Sequence, residues 1–262
     1  MKHRLDAPFL EMGFYFAGMP DADAFATIAR TVLARGSRFV GAAGWRGPNK
    51  RAQPFTSIRG DELREPFSID ANHLQEALVD PNMRIMEISF DRIIGISNAP
   101  ERLEYVSVFS EEASLEDHHP IAVLAEGEPF SGPHDPERGR KPGKRVYEAF
   151  RELVTSFLPS YACITVERAT ECPTDLHRDP RGFSEDFFIS RDFVGSRELD
   201  VIAGWFDGAY QEPMRNGLYI STYQHWNPRR VGMDIQKSGL LATEVGRLIG
   251  QRRPSRPMGS SP

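Results

Sequence analysis

Residues 83–91 read Met-Arg-Ile-Met-Glu-Ile-Ser-Phe-Asp. In an extended chain Met86, Ile88 and Phe90 face one way, and Ile85, Glu87 and Ser89 the other. A period of two marks a β-strand with one buried face and one that tolerates polar groups. Two more strand-like runs follow, at 103–110 and 120–125, with no helical pattern between them. Successive strands without a crossover helix pair antiparallel, because a parallel return needs a long connection. The chain therefore reads as α+β: a mixed, largely antiparallel sheet with helices packed on it.

Upstream, the aromatic run 9–17 reads as a strand. A helix follows, with Phe25, Ala29, Val32 and Leu33 on one stripe. Asp21 and Asp23 lie near its start, where unpaired amides favour carboxylates, and Gly36 fits its C-terminal cap. Residues 39–43 form a second short strand. A polar connection over 47–66 leads to a short helix over 68–80, with Leu74, Ala77 and Leu78 inward.

Downstream, residues 127–143 hold Pro129, Gly132, Pro133, Pro136, Gly139, Pro142 and Gly143, and read as a loop or internal linker. The strongest helix pattern covers 144–158, with Val146, Phe150, Leu153, Val154 and Phe157 on one face. The nearly all-apolar run 161–166 reads as a central strand covered on both faces. Residues 172–185 read as a polar loop, 186–190 as a strand, 198–206 as a helix, and 218–223 as a strand with 231–235 as its partner. A last helix starts near Ser238. The expected organisation is one domain over 1–250 and a disordered tail over 251–262. Two α/β segments, opening near residues 9 and 144, are candidates for related halves 1–126 and 144–250 joined by 127–143.

Composition narrows the function classes. The chain has 262 residues, 40% hydrophobic and 26% charged, with a net charge of -5. An acidic balance disfavours unspecific attraction to nucleic acid or anionic lipid. No run approaches the length of a membrane span, and the first residues lack the apolar core of a signal peptide. The expectation is a cytoplasmic protein. Its two cysteines, Cys163 and Cys172, then read as reduced, with Cys163 a small buried hydrophobe.

The chain has no GxSxG elbow, phosphate loop, HExxH, CxxC or dinucleotide fingerprint. The most metal-like run is Glu116-Asp117-His118-His119, but adjacent strand residues point apart and no spaced partner motif supports it. It reads as a solvated hairpin loop, and no metal or other cofactor is expected. Two basic stretches, Arg46 with Lys50 and Arg51, and 138–145, could grip phosphate. With no nucleic-acid module in the sequence, that reading ranks low.

Two functions remain from different classes. The first is a non-enzymatic protein-binding protein that covers a basic or substrate-binding cleft of one protein partner. Glu111, Glu112, Glu116 and Asp117 are its acidic candidates, and Trp45, Tyr210 and Trp226 its aromatic anchors. In size and loop style the chain is similar to bacterial immunity proteins, which neutralise toxins delivered between cells. That likeness implies a cognate toxin as partner, but it carries no motif and transfers no residue. The alternative is a hydrolase or transferase with a dispersed site of His177, Asp179, Asp186 and His225. Arg178 would bind an anion there and Ser184 would serve as nucleophile.

Overall fold

The computed structural model describes residues 8–49, 51, 69, 72–105, 118–127, 130, 136–222 and 233–252, with backbone alone for 136–140 and 235. Among the described residues nine strands form one sheet in the order β2-β3-β4-β5-β1-β6-β7-β9-β8. They are β1 (Phe9–Tyr15), β2 (Arg38–Arg46), β3 (Met83–Asp91), β4 (Glu101–Tyr105), β5 (Ile121–Glu126), β6 (Tyr161–Val166), β7 (Asp186–Ser190), β8 (Tyr210–Met214) and β9 (Gly217–Ser221). Every pairing is antiparallel. The α+β reading holds, with helices packed on a sheet.

The helices divide between the two faces. On one face α1 (Asp21–Ala34), α2 (Leu74–Ala77) and α3 (Pro136–Phe157) cover a core built from Met12, Phe14, Ile88, Phe90, Leu103, Val123, Phe150 and Phe188. On the other, α4 (Pro173–Arg178), α5 (Arg191–Val194), α6 (Ser196–Trp205) and α7 (Ile235–Gly250) cover Tyr161, Cys163, Phe187, Ile189 and Ile220. The central strand β6 supplies Ala162 and Ile164 to the first core and Tyr161 and Cys163 to the second, as its apolar run requires. One sheet thus runs through both sequence halves, joined where β1 pairs with β6.

Several boundaries differ from the sequence reading. The helix expected over 144–158 starts eight residues earlier, at Pro136, and holds Pro142 inside it. The stripe from Val146 to Phe157 anchors it in the core, and this burial outweighs the poor helix propensity of proline and glycine upstream. Within the polar run 172–185 lie α4 and a 3-10 turn over Pro180–Gly182. The partner of β9 is β8, not residues 231–235: Asp234 caps α7 and Ile235 opens it. The short helix expected over 68–80 is four residues long, Leu74–Ala77.

Gln251 and Arg252, part of the expected tail, form a turn after α7. Arg252 donates to the carbonyls of Phe193 and Val194, tying the end of α7 to α5. The rest of the expected tail lies outside the described residues. Cys163 and Cys172 are buried and form no disulfide, and the Cys172 thiol donates to Asp175. Among the described residues no helix is long and apolar enough to cross a membrane.

Candidate functional site

Strand order brings together residues that sequence order keeps apart. β5 begins at Ile121, which lies opposite Phe14 near the end of β1 and opposite Tyr105 at the end of β4. The chain leaving β1 turns through Pro20 into α1, so Asp21 arrives beside the residues that precede β5. Those residues are His118 and His119. His118 Nδ1 lies 3.0 Å from Asp21 Oδ1, and His119 Nδ1 2.8 Å from Oδ2. The His119 amide also donates to Oδ1, at 3.2 Å. An ionised carboxylate only accepts, so each ring carries its proton on Nδ1. The two imidazoles do converge, against the expectation for a strand, because residues 118–120 lie in a connection without regular structure.

Burial pushes the Asp21 carboxyl up, but the hydrogen bonds from His118 and His119 outweigh it and hold it at about 2. The group is an anion at any physiological pH. Its position at the first turn of α1 adds the favourable field of the helix N-terminus.

A second layer surrounds this clasp. Arg84, 5% exposed, reaches to 4.0 Å from Asp21 Oδ2 and lies over the ring of Tyr105, 5.5 Å from its centre. Tyr105 stacks on Phe25 of α1 at 4.8 Å. Burial pushes the Tyr105 phenol up, so it stays protonated. Arg51 pairs with Asp23 at 2.6 Å and donates to the carbonyl of Leu78, which binds α1 to the end of α2. Arg84 donates in turn to the Arg51 carbonyl, at 3.3 Å. The cavity among Phe25, Arg51, Arg84 and Tyr105 is about 10 Å³, the scale of one water. The contacts of the cluster tie the start of α1 to the residues before β5 and to the end of α2.

The sequence reading did not find this cluster. It took Asp21 as a helix-end charge and His118 and His119 as a solvated loop. The signal that could have found it is Arg84, a guanidinium set within the apolar run Met83–Met86, all four residues of which are buried.

The described members of the dispersed catalytic set, His177, Asp179 and Asp186, do not come together. His177 and Asp179 are exposed beside α7, on the face covered by the second group of helices. Asp179 caps the 3-10 turn and pairs with Arg181 at 2.8 Å. Asp186 is on the opposite face, buried, accepting from the Tyr219 hydroxyl at 2.6 Å. The sheet separates them. Ser184 is also committed elsewhere: its hydroxyl donates to the Ile164 carbonyl at 3.0 Å. Arg178 is exposed, 3.9 Å from Asp175. His225 lies outside the described residues.

Burial pushes the Asp186 carboxyl up to about 7, against the hydrogen bonds from Tyr219 and Ser221. Tyr219 belongs to an aromatic group with Tyr147 and Tyr210, whose hydroxyls are 3.0 Å apart and both donate to Glu212. Arg151 pairs with Glu212 at 2.8 Å.

Two of the expected partner anchors are thereby reassigned. Tyr210 is half-buried with its hydroxyl inside this network, because its strand faces α3. Trp45 is 9% exposed and packs in the first core, because its indole faces inward at the end of β2. Glu111, Glu112, Glu116, Asp117 and Trp226 lie outside the described residues. In the first basic stretch Arg51 is committed to Asp23 and backbone carbonyls, Arg46 is exposed, and Lys50 lies outside the described residues. In the second, Arg145 donates to the Gly95 carbonyl and Lys144 pairs with Glu148.

Protein-family models, curated proteins and solved structures were compared with the chain. None matches it. Among the described residues no group of histidine, cysteine and carboxylate side chains is placed to hold a metal ion.

Proposed function

We propose that this chain is a non-enzymatic protein-binding protein that acts one-to-one by covering the working surface of a basic partner, as an immunity protein covers its toxin. The observation that carries this reading is the double clasp of His118 and His119 on Asp21. The segment 106–117 contains Glu111, Glu112, Glu116 and Asp117 and no lysine or arginine. It starts from Tyr105, stacked in the core, and ends one residue before the clasp. Both ends of the most acidic stretch of the chain are thus held by buried groups. Like charge gathered in one segment steers a basic surface toward it.

The test uses the full chain and its native cell extract. Glu111→Lys combined with Glu112→Lys should abolish retention of a basic partner that the natural chain retains in equal amount. Retention unchanged by the double reversal would remove the acidic segment from the account.

Among the described residues the Asp21–His119 pair is a feature that favours an enzyme, since a carboxylate orienting an imidazole is half of a general-base device. The carboxylate is shared by both rings and by the His119 amide, which favours the structural role. An activity lost in His119→Ala but kept in a variant of equal stability loss, such as Gly13→Ala, would reverse that judgement.

A further inference from the structure

A cavity of about 220 Å³ lies between the end of α1, the turn after β3 and the middle of α3. Val32 and Leu153, each 1% exposed, form its floor. The side chains of Arg92, 70% exposed, and Glu152, 61% exposed, stand at its mouth. A buried floor under an exposed rim opens the cavity to solvent. Its walls are tied together. The Ser37 hydroxyl, after α1, donates to the Arg92 carbonyl at 3.2 Å, and Arg145 of α3 donates to the Gly95 carbonyl at 2.8 Å. The space has room for about seven waters at ~30 Å³ each. Drug-sized ligands need upward of about 300 Å³, so a fitting ligand is smaller than those.

The charges around it select the occupant. Glu152 takes one terminal nitrogen of Arg35, and a guanidinium carries five donors in a planar fork. Asp91 is held by Arg38, and Arg92 approaches it with Nε at 3.7 Å. Among the described residues the other terminal nitrogen of Arg35 and both of Arg92 have no partner. With Glu152 set against Arg35 and Asp91 against Arg38, Arg92 is the cation in excess. Burial also pushes the Arg35 guanidinium down from its ordinary value, a cost that an added anion relieves. The C-terminal end of α1 disfavours an anion, but its Thr31, Val32 and Leu33 carbonyls already accept from the amides of Arg35, Ser37 and Gly36. A full guanidinium charge outweighs the half charge of a helix end.

We propose that this cavity binds a small carboxylate with a short aliphatic body, the carboxylate on the open donors of Arg35 and Arg92 and the body on Val32 and Leu153. Guanidinium and carboxylate match as planar forks, and the body displaces water from an apolar floor. One excess positive charge suits a monoanion better than a phosphate ester, which carries about two negative charges. The site is separate from the acidic segment invoked above: either can fail without the other.

The probes are pentanoate, pentylamine and acetate, titrated into the full-length protein while its amide resonances are followed. Pentanoate should shift the amides of Ser37, Ile93 and Leu153 with a dissociation constant below about 1 mM, and the other two should bind at least tenfold more weakly. Arg92 has φ of 63°, a backbone that asparagine accepts, so Arg92→Asn removes the cation and keeps the turn. It should weaken pentanoate about tenfold. Ala149→Leu fills the cavity from α3 and leaves both arginines, and it should abolish binding. No shift at these amides with pentanoate would overturn the proposal, as would equal binding of pentylamine. Acetate as strong as pentanoate, or pentanoate binding unchanged in Ala149→Leu, would mean anions gathering on surface arginines and would overturn it too. If Ala149→Leu does not fold, Arg92→Asn decides: unchanged pentanoate binding there overturns the site.

Discussion

His119 Nδ1 and Asp21 Oδ2 meet at 2.8 Å across 98 residues of sequence. This contact and its His118 companion join the start of α1 to the start of β5. A buried carboxylate with two imidazole donors and a guanidinium nearby is costly to leave unpaired, so its removal should be felt throughout the domain.

Asp21→Asn is expected to destabilise the fold by about 3 kcal/mol, the scale of breaking a buried ionic group. Asp23→Asn, next door but with its side chain 57% exposed, should cost no more than about 1 kcal/mol. Urea unfolding of the two variants checks the contrast. Equal effects would show that the clasp is no tie.

The pH dependence follows mainly from carboxyls that burial pushes furthest upward, Glu11 to about 8, Asp186 to about 7 and Glu171 to about 7, with Glu101 and Glu212 shifted the same way. Each holds a proton in the folded chain that the unfolded chain releases near its ordinary value. Their contribution to stability is complete below pH about 4 and is lost as pH rises through about 7 to 8. Asp21 works in the opposite sense: its contribution is present above pH about 4 and lost as pH falls through about 2. The urea midpoint should therefore be highest in mildly acid solution and fall toward pH 9. Glu11→Gln, which keeps the shape and removes the titration, should flatten that fall. A midpoint that rises from pH 5 to pH 9 would contradict the assignment.

Gly13 of β1 has no room for a side chain. A Cβ there would lie 2.0 Å from Thr170 Oγ1 and 2.8 Å from Glu11 Oε1. The Thr170 amide donates to that same oxygen at 2.7 Å, so the added methyl would press on a buried polar pair. Gly13→Ala should cost about 2 kcal/mol, as overpacking of a filled core does. Thermal melting reads the loss, and a melting temperature unchanged by the substitution would refute it.

The sheet was legible where periodicity was clean and one principle ruled. β3 showed its alternation, β6 its unbroken apolar run, and α1 and α3 their stripes, because in each the core decides both the pattern and the structure. β8 was illegible: Gln211, Glu212 and Pro213 carry no strand signal, and its place at an edge is what permits the proline. The start of α3 was hidden by Pro142 and its neighbouring glycines. The clasp was hidden for a different reason. Its members are ordinary residues, and their meeting depends on β5 lying between β4 and β1, a topological fact with no local mark in the sequence.

If the partner is basic, its complex with this chain should weaken as salt rises, because exposed charges more than a Debye length apart are screened. The association rate should fall more steeply between 50 and 500 mM salt than the dissociation rate climbs. Surface plasmon resonance on the captured partner separates the two. A salt-independent association rate would point to an apolar interface instead.

The most direct test of the binding account is quantitative capture from the native cell with the natural chain and with Glu111→Lys/Glu112→Lys, both confirmed to be equally stable. The account predicts one basic protein recovered in equal molar amount with the natural chain and absent from the reversed one. Recovery of the same proteins by both chains, or turnover of a small molecule that His119→Ala abolishes, would contradict it.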